Sequence, residues 1–94
     1  DGLGDARVPV VLAQNTPNPF RGTSSIRFRL AEAGHVSLAL FEVTGRRVRV
    51  LLEGLREAGE HEVRLDASGL PSGVYFYRLQ AGDYSETKKM VLLK

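Results

Sequence analysis

Short runs in which apolar and polar residues alternate constrain the fold of this chain more than any other feature. They recur about every eight to twelve residues and are separated by residues that favour turns. In one run Ile26, Phe28 and Leu30 face one side, while Arg27 and Arg29 face the other. Such alternation is typical of a half-buried β-strand. About seven runs of this kind, with no helical period in any window, predict an all-β antiparallel sandwich.

Seven strands are predicted from this pattern, at residues 8–14, 25–30, 35–43, 46–53, 60–66, 74–81 and 84–93. The third run is apolar on both faces, which is typical of a strand in the middle of a sheet. Tyr75, Tyr77 and Leu79 share one face of the sixth run, and we expect all three in the core. His61 falls on the apolar side of the fifth run, where a partly buried, hydrogen-bonded side chain is expected.

The segments between the runs contain strong turn and breaker signals. Residues 15–20 cannot form a regular strand because Pro17 and Pro19 lack amide donors, so an extended crossover with a turn is predicted there. Phe20 is expected to cap one end of the core. Gly45 and Gly82 lie between apolar runs and predict hairpin turns, because glycine adopts positive φ without steric cost. Residues 54–59 contain two glycines and are predicted to form a loop.

Length and composition fit one compact domain. The 94 residues include no cysteine, no internal repeat and no apolar stretch near the length of a membrane helix. Residues 1–8 are polar and glycine-rich, and they are predicted to be a linker that precedes a domain at residues 9–94. We therefore expect no disulfide, no integral membrane segment and no signal peptide within this sequence.

The basic residues do not predict nucleic-acid binding. The net charge is only +2, and no aromatic residues are interleaved with the arginines on the outward positions. A solvated face, attracted at most to anionic surface polysaccharide, is the preferred interpretation. The arginines concerned are Arg27, Arg29, Arg46, Arg47 and Arg49.

No catalytic, cofactor-binding or metal-binding residues are predicted. The only histidines, His35 and His61, have no metal-ligand spacing and no cysteine to join them. Ser24 and Ser25 lack the glycine elbow of a serine nucleophile. The carboxylates are spread over loops and outward positions, so no acid–base pair stands out. The chain is expected to be no enzyme and to need no cofactor.

Three motifs together resemble the type IX (Por) secretion system C-terminal sorting domain, over roughly residues 12–94. The first is Leu-Ala-Gln-Asn-Thr-Pro-Asn-Pro-Phe at 12–20, and the second is Phe-Glu-Val-Thr-Gly at 41–45. The family usually has Tyr and Asp where this chain has Phe41 and Glu42, which weakens any role of those polar groups in recognition. The third motif is Leu-Pro-Ser-Gly-Val-Tyr at 70–75, followed by the basic, apolar stretch Lys-Lys-Met-Val-Leu-Leu-Lys at 88–94.

The resemblance implies an immunoglobulin-like sandwich that serves as a folded secretion signal. Such a domain directs an attached N-terminal cargo from the periplasm across the bacterial outer membrane, to the cell surface or the medium. Its implied partners are translocon components and a sortase-like peptidase, which removes the domain and anchors the cargo to lipopolysaccharide. Cleavage is expected within residues 2–8.

The resemblance also assigns roles to individual residues. The expected signal or recognition residues are Pro71, Gly73, Tyr75, Gly82, Lys88, Lys89, Val91 and Lys94. The expected structural residues of the family motifs are Asn15, Pro17, Asn18, Pro19, Phe20 and Gly45. Our hypothesis is that a translocon component recognises residues 73–94, through the positive charge and the exposed backbone edge of a strand that ends the chain.

Two other classes of function remain open at this point. An adhesion or carbohydrate-binding sandwich needs an exposed aromatic platform, to which Phe76 and Tyr84 are the candidate contributors. An assembly module is the second alternative, because the immunoglobulin-like domain of the flagellar hook-capping protein has a similar central pattern.

Overall fold

The computed structural model describes residues 10–94, so the predicted linker at residues 1–8 lies outside the described residues. Seven strands lie within this range: β1 (Val10–Leu12), β2 (Thr23–Leu30), β3 (Gly34–Glu42), β4 (Arg47–Arg56), β5 (Gly59–Asp66), β6 (Gly73–Ala81) and β7 (Tyr84–Leu92). A three-stranded sheet has the order β1-β2-β5, and a four-stranded sheet has the order β4-β3-β6-β7. All the strand pairs are antiparallel. The predicted all-β sandwich is confirmed.

The core lies between the two sheets and is built from alternate residues of their strands. Tyr77 and Leu79 are fully buried, and Phe20 is buried at one end, as predicted. Burial of each large apolar side chain contributes about 1.5–3 kcal/mol. The other members of this core cluster are Val10, Leu12, Ile26, Phe28, Leu30, Val36, Leu38, Leu40, Leu65, Ala67, Tyr75, Met90 and Leu92.

The central position of β3 follows from its sequence. This strand pairs with β4 on one side and β6 on the other. Leu38 and Leu40 are buried against the core, while Ala39 is buried and Phe41 half-buried on the opposite face. The prediction from its two apolar faces is therefore confirmed.

The predicted loop at residues 54–59 is wrong, because β4 continues to Arg56 and β5 begins at Gly59. Gly54 lies opposite Val36 within the β3–β4 ladder and has a φ of 141°. The glycine therefore accommodates an irregularity inside a strand rather than a turn. Pairing continues beyond it because β3 begins early enough to give Arg56 a partner at Gly34.

The first predicted strand, residues 8–14, is also too long at its carboxyl end. Strand β1 ends at Leu12, although the Ala13 amide still donates to the Arg27 carbonyl at 2.9 Å. Beyond that point the Ala13 carbonyl and the Asn15 amide bond to the hydroxyl of Tyr77 in the opposite sheet. The backbone leaves the ladder because its polar groups find partners across the sandwich.

Candidate recognition site at the end of the final strand

The predicted signal residues do not all lie together. Lys88, Lys89 and Val91 belong to β7, which is the edge strand of the four-stranded sheet. Gly73 begins β6 beside the carboxyl end of β7, opposite Leu92. Gly82 lies in the turn at the other end of this hairpin, about 26 Å away for eight residues of strand. The structure therefore separates Gly82 from the other signal residues.

Residues 14–20, which we call the opening segment, contact β7. Side chains of this segment form hydrogen bonds with the backbone of β7. The Gln14 side-chain amide donates to the Lys89 carbonyl at 2.7 Å. The Val91 amide donates to the Asn18 side-chain oxygen at 2.8 Å. Amide side chains thus supply a donor and an acceptor in a segment whose two prolines have no backbone donor.

Backbone pairing at Phe20 extends this contact. The Phe20 amide donates to the Val91 carbonyl at 3.0 Å, and the Leu93 amide donates to the Phe20 carbonyl at 2.8 Å. The pairing forms a short parallel bridge between Phe20 and Leu92. The opening segment thus crosses from one sheet to the edge of the other, as the predicted extended crossover requires.

The hypothesis that a partner strand pairs with the exposed edge at the end of the chain is wrong for this half of β7. The outward backbone groups between the Lys89 carbonyl and the Leu93 amide already have partners in the opening segment. In an antiparallel strand alternate residues direct their backbone groups outward. The amino half of the β7 edge, around Ser85 and Thr87, has no strand partner among residues 10–94.

A buried polar network holds the opening segment against the core. The Asn15 side chain is only 2% exposed and donates to the Ser24 hydroxyl at 2.9 Å and to the Pro17 carbonyl at 3.1 Å. It also accepts a hydrogen bond from Gln14 at 2.7 Å. Ser24 in turn donates to the Pro17 carbonyl at 2.9 Å. The peptide bonds before both Pro17 and Pro19 are cis.

Tyr77 connects this network to the four-stranded sheet. Its hydroxyl donates to the Ala13 carbonyl at 2.8 Å and accepts from the Asn15 amide at 2.8 Å. Burial raises the pKa of Tyr77 to about 12; the bond from Asn15 opposes this shift, and the charge of Glu86 adds to it. The phenol therefore stays protonated in the folded protein under all ordinary conditions.

This raised pKa predicts a loss of stability in alkali. An unfolded tyrosine releases its proton near pH 10, whereas folded Tyr77 retains it to about pH 12. Between these values the folded state binds more protons, so the free energy of unfolding falls as the pH rises, by up to about 1.4 kcal/mol per pH unit. Urea unfolding from pH 9 to 11.5 measures the slope, and Tyr77→Phe should reduce it. An equal slope in the two proteins would contradict this assignment.

The Asn18 side chain is expected to protect the end of β7 from local opening. Asn18→Ala removes the acceptor of the Val91 amide, at a cost of about 1 kcal/mol, so hydrogen exchange at that amide should accelerate about fivefold. The side chain of the neighbouring Thr16 makes only a 3.4 Å hydrogen bond to the Gln14 carbonyl, so Thr16→Ala is a matched control without this effect. Unchanged protection of Val91 in Asn18→Ala would show that the bond does not hold the strand.

The lysines of β7 point to opposite faces, because side chains alternate along a strand. Lys88 lies opposite Tyr77 on the core-facing side and forms an ion pair with Glu86 at 3.5 Å. Lys89 lies opposite Phe76 on the outer face and is exposed. The two predicted recognition lysines therefore do not form one patch.

Lys94 follows β7 and lies at the end of the sandwich that the opening segment occupies. Its carbonyl accepts a hydrogen bond from the Arg21 guanidinium at 2.7 Å, and its side chain is exposed. Pro71 precedes β6 at this end, where its carbonyl accepts from the Tyr75 hydroxyl at 2.6 Å. Pro71, Gly73, Tyr75, Val91 and Lys94 are thus gathered at one end of the sandwich.

Sequence reasoning missed the roles of Gln14, Asn18 and Arg21 as partners of the final strand. It identified Gln14 and Asn18 only as parts of a motif and overlooked Arg21. A usable signal was present, because three amide side chains lie among two prolines in residues 14–19. Amides in such a segment can satisfy backbone groups that proline cannot.

The aromatic platform required by a carbohydrate-binding function does not form from the expected residues. Phe76 is half-buried on the outer face, next to Phe41. Tyr84 packs against the core cluster and donates to the Glu86 carboxylate at 2.9 Å, which raises the pKa of Tyr84.

A cleft lies at the opposite end of the sandwich from the opening segment. Its lining includes Val10, Leu30, Glu32, His35 and Ala81. Among residues 10–94, no group of three or more His, Asp or Glu side chains could hold a metal ion. The same residues include no helix that is long and apolar enough to cross a membrane.

Comparison with known proteins identifies one family. The sequence profile described as the secretion system C-terminal sorting domain matches residues 16–93, which is most of the chain. No curated protein matches the chain.

The fold is similar to part of a solved structure, described as the crystal structure of dimeric latent PorU from Porphyromonas gingivalis. The TM-score is 0.70, and the match covers 97% of this chain with 22% identity. The chain spans only 10% of the length of that PorU chain. At this identity the likeness shows the fold alone.

Proposed function

Because the chain belongs to the family of secretion system C-terminal sorting domains, we propose that the secretion machinery reads it at the end formed by the opening segment and β7. The family is the sorting signal of the type IX secretion system, so the domain directs an attached cargo across the bacterial outer membrane, to the cell surface or the medium. The observation that carries the proposal is the bonding of the opening segment to Lys89, Val91 and Leu93. It joins two of the family motifs into one surface.

Side chains, rather than added strand pairing, carry the recognition at this end. The outward backbone groups of the last residues of β7 are already satisfied, so a partner gains little by offering further backbone groups. Lys89 and Lys94 are exposed and present positive charge on either side of Val91. The exposed prolines of the opening segment lie beside them, which gives a translocon component a fixed, basic surface.

The described part of the chain begins at Val10, at the opposite end of the sandwich from the recognised end. Val10 pairs with Leu30 near the cleft, and Lys94 lies about one strand length away, on the order of 26 Å. A cargo that precedes Val10 therefore leaves the recognised end accessible. Cleavage by a sortase-like peptidase within residues 2–8 would separate the cargo from residues 10–94.

The domain acts by being recognised and carries no reaction of its own. The sorting-signal family is not catalytic, and this supports a non-enzymatic role for the chain. Any activity of the exported protein then belongs to the cargo.

A reporter fusion tests the proposed function. Residues 1–94 are attached to the carboxyl end of a periplasmic reporter, in a bacterium with type IX secretion and in a matched strain without it. The fusion is expected at the surface or in the medium of the first strain only. Retention in the periplasm of both strains would overturn the function.

A further inference from the structure

The outer faces of the two sheets differ in how their charges are arranged. On the three-stranded sheet Arg27 lies opposite Glu62, with 4.0 Å between their charged groups, and Arg29 lies opposite Glu60. Arg27 and Arg29 therefore have anions directly across from them, while Arg64 lies opposite Ser25. This pattern is typical of a solvated face that needs no partner.

Among the described residues on the outer face of the four-stranded sheet, no carboxylate lies directly across from a cation, and the exposed Glu53 lies opposite Ser37, farther along the strands. Lys89, Phe76, Phe41 and Arg47 form one row across its strands, so a cation lies at each end of a pair of aromatic rings. Arg78 lies over the Phe41 ring, with its guanidinium carbon 4.8 Å from the ring centroid. Among residues 10–94, none of these three cations forms an ion pair with a carboxylate.

Apolar side chains fill the positions around these cations. Val50 is 43% exposed and lies opposite Ala39, while Val74 is 36% exposed and lies opposite Val91. A continuous apolar surface edged by cations is more typical of a contact surface than of a solvated sheet face. We call this surface the basic outer face, and its members are Ala39, Phe41, Arg47, Val50, Val74, Phe76, Arg78, Lys89 and Val91.

We propose that the basic outer face binds a protein of the export machinery. The contact surface of that partner is apolar and is flanked by carboxylates. The proposal deepens the proposed function and rests on it. Charge complementarity selects this occupant, since Arg47, Arg78 and Lys89 leave positive charge on both sides of the apolar centre.

The other occupants fit this face less well. In a symmetric dimer the face meets itself, so its three cations would approach the same three cations of the second copy. A glycan stacks on an open aromatic face, whereas Phe41 is covered by Arg78 and Phe76 is half-buried. An apolar sheet face with flanking cations suits a protein surface better.

Charge reversal on this face, away from the final strand, tests the proposal. The fusion carrying Arg47→Glu with Arg78→Glu is compared with a matched control, Arg29→Glu with Arg64→Glu on the opposite outer face, by export and by thermal melting. Export of the first variant is expected to fall at least about tenfold, whereas the control is exported like the unaltered fusion. Val50→Glu is a second variant for the case in which the first fails to melt cooperatively. Val50 is exposed on the edge strand β4, so the substitution places a carboxylate on the same face.

The possible results separate the two proposals. If the unaltered fusion is not exported, the proposed function fails and the docking proposal falls with it. If the unaltered fusion is exported and the folded face variants are exported equally well, only the docking proposal is overturned. Two further results would overturn the docking proposal while export stays intact. In one, the face variants lose only their binding to purified lipopolysaccharide. In the other, they lose only self-association, measured by sedimentation.

Discussion

Tyr77→Ala is expected to lower the free energy of unfolding by about 3–5 kcal/mol. The Tyr77 ring is fully buried in β6, where Leu40 lies opposite on one side and Lys88 on the other. Its removal leaves a cavity and also removes the hydroxyl that joins the two sheets. A loss of this size is a large part of the total stability of a small domain, which is about 5–15 kcal/mol.

Tyr77→Phe separates the two contributions. The ring remains, but the Asn15 amide and the Ala13 carbonyl lose their shared partner, at a cost of about 1–3 kcal/mol. Each kcal/mol corresponds to a decrease of about 4–8 °C in Tm for a domain of this size. Tyr75→Phe is the matched control, because it removes only one hydrogen bond to the Pro71 carbonyl. A Tyr77→Phe protein as stable as the unaltered one would contradict the role of the buried network.

Removal of residues 88–94 is expected to abolish export completely. The deletion takes away Met90 and Leu92, which are 0% and 5% exposed, and each buried side chain of this size is worth about 2–5 kcal/mol. Asn18 and Phe20 also lose their partners in β7. Unfolding and loss of the recognised end then occur together, so the cargo stays in the periplasm.

Cell fractionation and melting of the purified chain measure the two effects of this deletion. Removal of Lys94 alone is the control, because it takes away one exposed side chain and the 2.7 Å contact with Arg21. That shorter deletion should leave the Tm nearly unchanged. Normal export of the fusion that lacks residues 88–94 would contradict any role for the final strand.

The alternation of apolar and polar residues predicted the strands, because burial of one face of a strand requires an apolar residue at every second position. The core positions of β2 and β6 were correct, since one sheet face must be apolar and the period is two. The loop predicted at residues 54–59 was wrong because glycine allows a turn but does not prevent a strand from continuing. It signals a possible turn, whereas the long partner strand β3 decides whether pairing continues.

The amides among the prolines indicate that backbone groups are satisfied by side chains, but they do not indicate that those groups belong to β7. Asn18 and Val91 are 73 residues apart, and nothing local in either segment encodes the other. The predicted list of recognition residues therefore included Val91 without its partners. It also treated Lys88 and Lys89 as equivalent, although the alternation of a strand directs one toward Glu86 and the other outward.

The most direct test of recognition at the end of the final strand is the export of a fusion that carries Lys89→Glu and Lys94→Glu. Both side chains are exposed, so the domain should melt at the same temperature as the unaltered one. Export is expected to fall at least about tenfold, while the Arg29→Glu, Arg64→Glu control is exported normally. Normal export of this folded variant would contradict the central claim, because the machinery would then be reading some other part of the domain.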